Sequence, residues 1–230
     1  MKGFKYILAV ACLCVSVSAN AGSILSPTAI INNDFGATLG GNFTQQNLIN
    51  QSGLSAVFTS GVTDFATYVA GNPTHAAVYY RRGGHYKHSG PVLPGNIDFD
   101  LGSLVDIEQF GLWNTPSRGV TSIEIYTSSV ADFTVSEFVG SYAPGTTTFW
   151  PLYYPFPLQV FTLTPTTARY ARLRILSVNS SSYAAISEIV FDVSVPSSSA
   201  APVPEPSTVL LLGTGLLGLV GYTHRRRKAA

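Results

Sequence analysis

From Asn96 onward, apolar residues fall at every second position. Ile97, Phe99 and Leu101 point one way, and Asp98 and Asp100 the other. A period of two marks a strand with one buried face. The alternation returns in Ile123 and Ile125 against Glu124 and Tyr126, and in Ala171, Leu173 and Ile175 against Tyr170, Arg172 and Arg174. It returns again in Ile189, Phe191 and Val193. Residues 104–113, 133–142 and 158–163 read as further strands. Pro151, Pro155 and Pro157 exclude a central strand over 146–157, and no stretch sustains a helical period. Eight or more short strands with regular turns predict an all-β fold, a jelly-roll β-sandwich over residues 22–195. Residues 23–44 read as a lead-in with turn chemistry at Asn32-Asn33-Asp34, and 65–95 as a long irregular surface excursion.

The two ends read as addresses rather than fold. Lys2 and Lys5 precede an apolar run, Tyr6–Val17, and Ala19-Asn20-Ala21 is a small-residue cleavage site. Residues 1–21 are therefore expected to be a signal peptide for the Sec export machinery, cut after Ala21. Both cysteines, Cys12 and Cys14, lie inside it, so the exported chain has neither disulfides nor thiol chemistry. Residues 196–202 form a Ser/Pro linker with too little apolar surface to fold.

Pro204-Glu205-Pro206 follows, then an uncharged apolar stretch at 208–222. A basic end at 224–228 contains Arg225, Arg226 and Arg227. A helix over 208–222 would be about 22 Å long, short of the roughly 30 Å hydrocarbon core, and four glycines weaken it. It is expected to be a short transmembrane helix with its basic end in the cytoplasm and the preceding domain on the far side. Once both ends are removed, seven basic and eleven acidic residues remain, a net charge of −4. With no basic run, nucleic acid is not an expected partner.

The order Pro-Glu-Pro, short apolar helix and arginine-rich end resembles the PEP-CTERM protein-sorting signal. The resemblance implies an exported protein, cleavage by an exosortase, and release towards the cell surface or extracellular matrix of a bacterium that makes exopolysaccharide. A plain C-terminal membrane anchor is the alternative reading. A second resemblance is carried by Asp98-Phe99-Asp100-Leu101-Gly102, Ile107 with Leu112-Trp113-Asn114, and Ile123–Ser128. Thr167–Ile175 and Ile186–Phe191 complete it. These segments are similar to the discoidin, or coagulation-factor type C, family of galactose-binding-like domains, which implies an eight-stranded jelly roll. The family often holds a structural calcium, and Asn32, Asp34 and Glu188 would supply the hard oxygen ligands it prefers. Asn and Asp in turns also bond their own backbone, so both readings stand; no other cofactor is expected.

Two aromatic-rich segments are candidate binding loops. Tyr79, Tyr80, Arg81, His85 and Tyr86 offer ring faces and cations, and Trp150, Tyr153 and Tyr154 form a second group held in a loop by prolines. Sugar C–H faces stack on such rings and hydroxyls bond the polar groups, so a glycan such as exopolysaccharide is the expected ligand. His75, His85 and His88 in one region also raise a transition-metal site. A Gly-x-Ser-x-Gly elbow, a His-Glu-x-x-His helix and a phosphate-cradling Gly loop are all missing, so no catalytic residue is assigned. The expectation is a non-catalytic, carbohydrate-binding surface or matrix protein. A structural matrix protein without a specific ligand is the alternative, and an envelope hydrolase is disfavoured.

Overall fold

The computed structural model describes residues 22–36, 43–76, 86–146, 155–180 and 182–194, with Thr214. The expected leader 1–21, the linker 196–202 and the tail 203–228 apart from Thr214 lie outside them. Backbone packing divides the chain into Met1–Pro196 and Ser197–Ala230. In the second unit the one described residue, Thr214, is helical and exposed. Among the described residues no helix is long and apolar enough to cross a membrane.

Strands β1 (Ser23–Leu25), β2 (Ala29–Asn33), β3 (Thr74–His75), β4 (Tyr86–Ser89) and β5 (Gly95–Asn114) come first. They are followed by β6 (Val120–Ser128), β7 (Glu137–Tyr142), β8 (Phe156–Pro157), β9 (Gln159–Val178) and β10 (Tyr183–Ser194). One 3-10 turn, Gln45–Leu48, and one short helix, α1 (Phe65–Ala70), interrupt them.

The fold is a β-sandwich whose two long strands belong to both layers. The first half of β5 pairs with β2 on one side and with the second half of β9 on the other; β9 in turn pairs with β6, and β6 with β7. The second half of β5 pairs with β10 and with the first half of β9, and β10 carries β1 and β4. The strands change layer where the register jumps from Asp100↔Tyr170 to Val105↔Ala168. Gly102 sits at that corner with φ +89°, and its N–H donates to Asp100 Oδ1 at 2.8 Å. Only glycine takes this conformation without strain. The sequence had divided each of these long strands into two.

The inward sets Ile97, Phe99, Leu101, Ile123, Ile125, Leu173, Ile175, Ile189 and Phe191 meet Ile107, Phe110 and Leu112 in one core. A second cluster lies outside the β10 layer: Ile24, Phe58, Phe65, Tyr68, Trp113, Phe156 and Val190. The polypeptide between Gln51 and Thr74 packs over that face, with Trp113 Nε1 donating to the Pro73 carbonyl at 3.3 Å.

Three expectations change. The lead-in contributes two real strands, β1 and β2. The excursion at 65–95 holds α1, started by Asp64, whose side chain accepts from the Thr67 N–H. Phe133 belongs to a turn at φ 55° rather than to β7, where it lies under the Arg172 guanidinium at 4.1 Å.

Candidate functional site

Described residues that flank the two aromatic-rich segments in sequence are paired. Thr74 pairs with Pro157 and His75 with Phe156 in the small β3–β8 ladder. The His75 and Phe156 rings stack with centroids 5.2 Å apart. His75 is buried, and its Nδ1 and Nε2 lie 2.9 Å and 2.8 Å from the carbonyl oxygens of Ala76 and Ser52. Gly53, at φ +94°, passes so close that a Cβ there would overlap the imidazole. In sequence, segment 77–85 begins two residues after His75, and segment 147–154 ends two residues before Phe156.

The residues flanking their other ends are linked across β10 and β5. Tyr86 pairs with Ile186, and Ile186 pairs with Asn114. The Asn114 amide donates to the carbonyls of Val120 and Gly145 and its oxygen accepts from the Val120 N–H, while Gln159 holds Gly145 through both backbone groups. The described residues that flank 77–85 and 147–154 are thus held by the β3–β8 ladder on one side, and by β10, Asn114 and Gln159 on the other.

Tyr79, Tyr80, Arg81, His85, Trp150, Tyr153 and Tyr154 lie outside the described residues. Tyr86 is 1% exposed and its hydroxyl shares hydrogen bonds with the Asn33 side chain. Its ring belongs to the core and burial pushes its phenol up. The sequence did not single out Lys87, Arg118 and Tyr183. The Lys87 ammonium lies 4.1 Å and the Arg118 guanidinium 4.8 Å from the Tyr183 ring. Burial, and then Arg118, pull the Lys87 amine down. The three come from separate segments, so only the fold brings them together.

The expected calcium ligands fall into two groups. Asp34 accepts from the Asn32 amide at 3.0 Å and from the backbone and side-chain nitrogens of Asn96 at 2.9 Å and 2.8 Å. Against burial, which raises it, these bonds hold the Asp34 carboxyl below its ordinary value. Glu188 is fully buried on β10. Its Oε1 accepts the Gln51 N–H at 2.7 Å and its Oε2 has no hydrogen-bond partner among the described residues. Burial pushes this carboxyl up to about 8, with the Gln51 bond pulling the other way. The two groups share no hydrogen-bond partner. Among the described residues no three His, Cys, Asp or Glu side chains are grouped to hold a metal.

Asp98, expected to face solvent, is buried beneath Arg172, which grips it through two bonds at 2.6 Å and 2.8 Å.

Residues 202–228 match the family described as PEP-CTERM protein-sorting motif. The chain carries a PEP-CTERM sorting motif. That motif implies an exported, surface-directed protein processed by an exosortase. The chain finds no match among curated protein sequences. Among solved structures, the C-terminal domain of a chitobiase from Bacteroides fragilis is 18% identical, with 75% of this chain and 98% of that one covered at a TM-score of 0.46. The family 32 carbohydrate-binding module of Streptococcus pneumoniae EndoD is 13% identical, covering 74% and 98% at 0.45. Chitosan-binding module 1 of a chitosanase/glucanase from Paenibacillus sp. IK-5 is 16% identical, covering 73% and 95% at 0.45. Likenesses of this size carry no argument about a ligand.

Proposed function

We propose that this chain is a non-catalytic, carbohydrate-binding protein of the cell surface or extracellular matrix, delivered there by its PEP-CTERM tail. In this reading the leader directs Sec export. The helix at 208–222 then holds the precursor in the inner membrane with Arg225–Lys228 in the cytoplasm. Exosortase cleavage frees an acidic, cysteine-free sandwich. The ligand is an exopolysaccharide or related glycan, stacked on Tyr79, Tyr80, Trp150, Tyr153 and Tyr154 and bonded by Arg81 and His85.

The observation that carries this reading is the β3–β8 ladder. It pairs His75 with Phe156, described residues that flank in sequence the two aromatic-rich segments, which are themselves far apart in the chain. The test is glycan-array and titration binding by the processed chain, beside the variants Tyr80→Ala and Trp150→Ala. A ring stack worth about 0.5–1.5 kcal/mol predicts binding weakened by roughly two- to tenfold per ring. An array with no retained glycan sinks the proposal.

Self-association in the matrix is the second reading. It is favoured by Val135 and Phe138, exposed at and beside β7, the last strand of its layer. Light scattering that shows oligomers, lost in Phe138→Ser, would support it.

A structural cation is compatible with either reading, and of the three expected ligands Glu188 is the one with an oxygen left without a hydrogen-bond partner among the described residues. A buried carboxylate oxygen without a donor is a hard ligand for calcium. Asn32 and Asp34 complete their own hydrogen bonds with Asn96.

A further inference from the structure

Gly22 is the first described residue and follows directly on the expected cleavage site after Ala21. Its carbonyl accepts the Phe65 N–H at 3.0 Å, at the start of α1. Its neighbour Ser23 bridges Asp64 and pairs with Val193. Gly22 is therefore fixed at the border between β1, β10 and α1.

At that point it meets a carboxylate. A Cβ built on Gly22 would overlap the Asp192 side chain, with Oδ1 the nearest atom. The Gly22 nitrogen is bonded to the same Cα, about 2.5 Å from where that Cβ would stand. The nitrogen therefore lies no more than about 4.4 Å from Asp192 Oδ1, a gap that a small rotation of the carboxylate closes. Asp192 Oδ1 is buried and accepts no hydrogen bond among the described residues. The charged groups that act on Asp192 are Glu108 on β5 and Asp64 before α1, both of its own sign.

We propose that leader cleavage completes the fold: the α-ammonium created on Gly22 is the counter-ion of Asp192, and the precursor lacks it. The proposal rests on cutting after Ala21, not on any ligand reading of the sandwich. Before cleavage Gly22 offers a neutral amide to a cluster of three carboxylates. Hydrolysis of the Ala21–Gly22 peptide bond by water leaves a carboxylate on the departing leader and an amine on Gly22, which is protonated at neutral pH. A partly buried carboxylate with two like charges acting on it thereby gains a cation beside it. The sandwich would thus reach full stability only after export, when the leader has gone. A side chain at this position would have to displace the carboxylate.

The cation also fixes a pH window. Without it, burial, then Glu108, then Asp64 push the Asp192 carboxyl up to about 6. With it, that carboxyl falls and the amine rises above its ordinary value of about 7.7–8.0. The paired amine contributes stability below the unfolded amine value, lost as pH rises through the raised one. The paired carboxylate contributes only while Asp192 is ionised. The advantage of the free amine is therefore greatest near pH 7 and vanishes in strong acid and in base.

The test compares the full chain beginning at a free Gly22 with the same chain extended by Gly-Ser-Ala, each with and without Asp192→Asn, in detergent. Mass spectrometry of the exported protein reads the cleavage position separately. Near pH 7 the free-Gly22 chain is expected to melt about 2–4 °C higher, and Asp192→Asn should remove the difference. Titration of the 15N-labelled Gly22 amine should give a value above the ordinary range. Equal melting of the free and extended chains, or a difference that survives Asp192→Asn, overturns the proposal. If the Asn variant does not fold, an ordinary Gly22 amine value in the unsubstituted chain overturns it equally.

Discussion

The Glu188 carboxyl makes the sandwich a pH-dependent structure. Its ordinary value is 4.5, and burial lifts it to about 8. Between those limits the folded chain holds a proton that the unfolded chain releases, so stability falls as pH rises. The interval amounts to about 5 kcal/mol at about 1.4 kcal/mol per pH unit. That is a large part of the 5–15 kcal/mol, roughly, that holds a domain folded. Glu188→Gln keeps the shape and the acceptor for the Gln51 N–H but cannot ionise. Urea unfolding, followed by the fluorescence of buried Trp113, should give similar stabilities for both chains near pH 4.5. By pH 8.5 the variant should be more stable by several kcal/mol. The proposed cation gives a second arm: were calcium to bind Glu188, millimolar calcium would restore the wild-type chain at pH 8.5 and leave the Gln variant unchanged. Parallel pH profiles for the two chains would refute the reasoning, since some other group would then carry the slope.

Two further substitutions probe the scaffold. Arg172→Met strips Asp98 of its bidentate partner and should cost about 3–5 kcal/mol in urea unfolding, with part recovered in the double variant that adds Asp98→Asn. Gly53→Ala forces a side chain into φ +94° against the His75 ring; it should cost about 1–3 kcal/mol and speed exchange of the Ala76 amide, which is bonded to the Gly53 carbonyl at 2.7 Å.

The strand faces were legible because period two is a local property. Ile97, Phe99, Leu101, Ile123, Ile125, Leu173 and Ile175 all face the core as the alternation requires. The bend at Gly102 was not, because one glycine between two apolar runs reads equally as a turn between strands. Helix α1 has six residues, too few to show a helical period, and its one local sign was Asp64 as a cap. Asp98 followed the alternation outward, yet that outward face is covered by Arg172. The paired roots of the aromatic segments are a matter of register: His75 and Phe156 lie far apart in sequence, and no local pattern records that they stack.

Burial of the second face of β10 decides the rest. Glu188, Val190 and Asp192 alternate with Ile189, Phe191 and Val193, and alternation alone assigns the first set to solvent. It is not left there. Residues 51–74 pack against it, so Val190 joins the second apolar cluster, Glu188 is fully buried and Asp192 is left with one buried oxygen, Oδ1. The covering polypeptide has little periodicity of its own. Its cohesion comes from Phe58, Phe65 and Tyr68 packed on Trp113, and from Gln51, whose side chain bonds the backbone of Phe58 twice. Both raised carboxyls therefore have one physical origin, a face of β10 built with acids and then closed. The proposals above give each its own counter-charge, a cation for Glu188 and the Gly22 ammonium for Asp192. Substituting either acid by its amide should remove only its own part of the pH dependence.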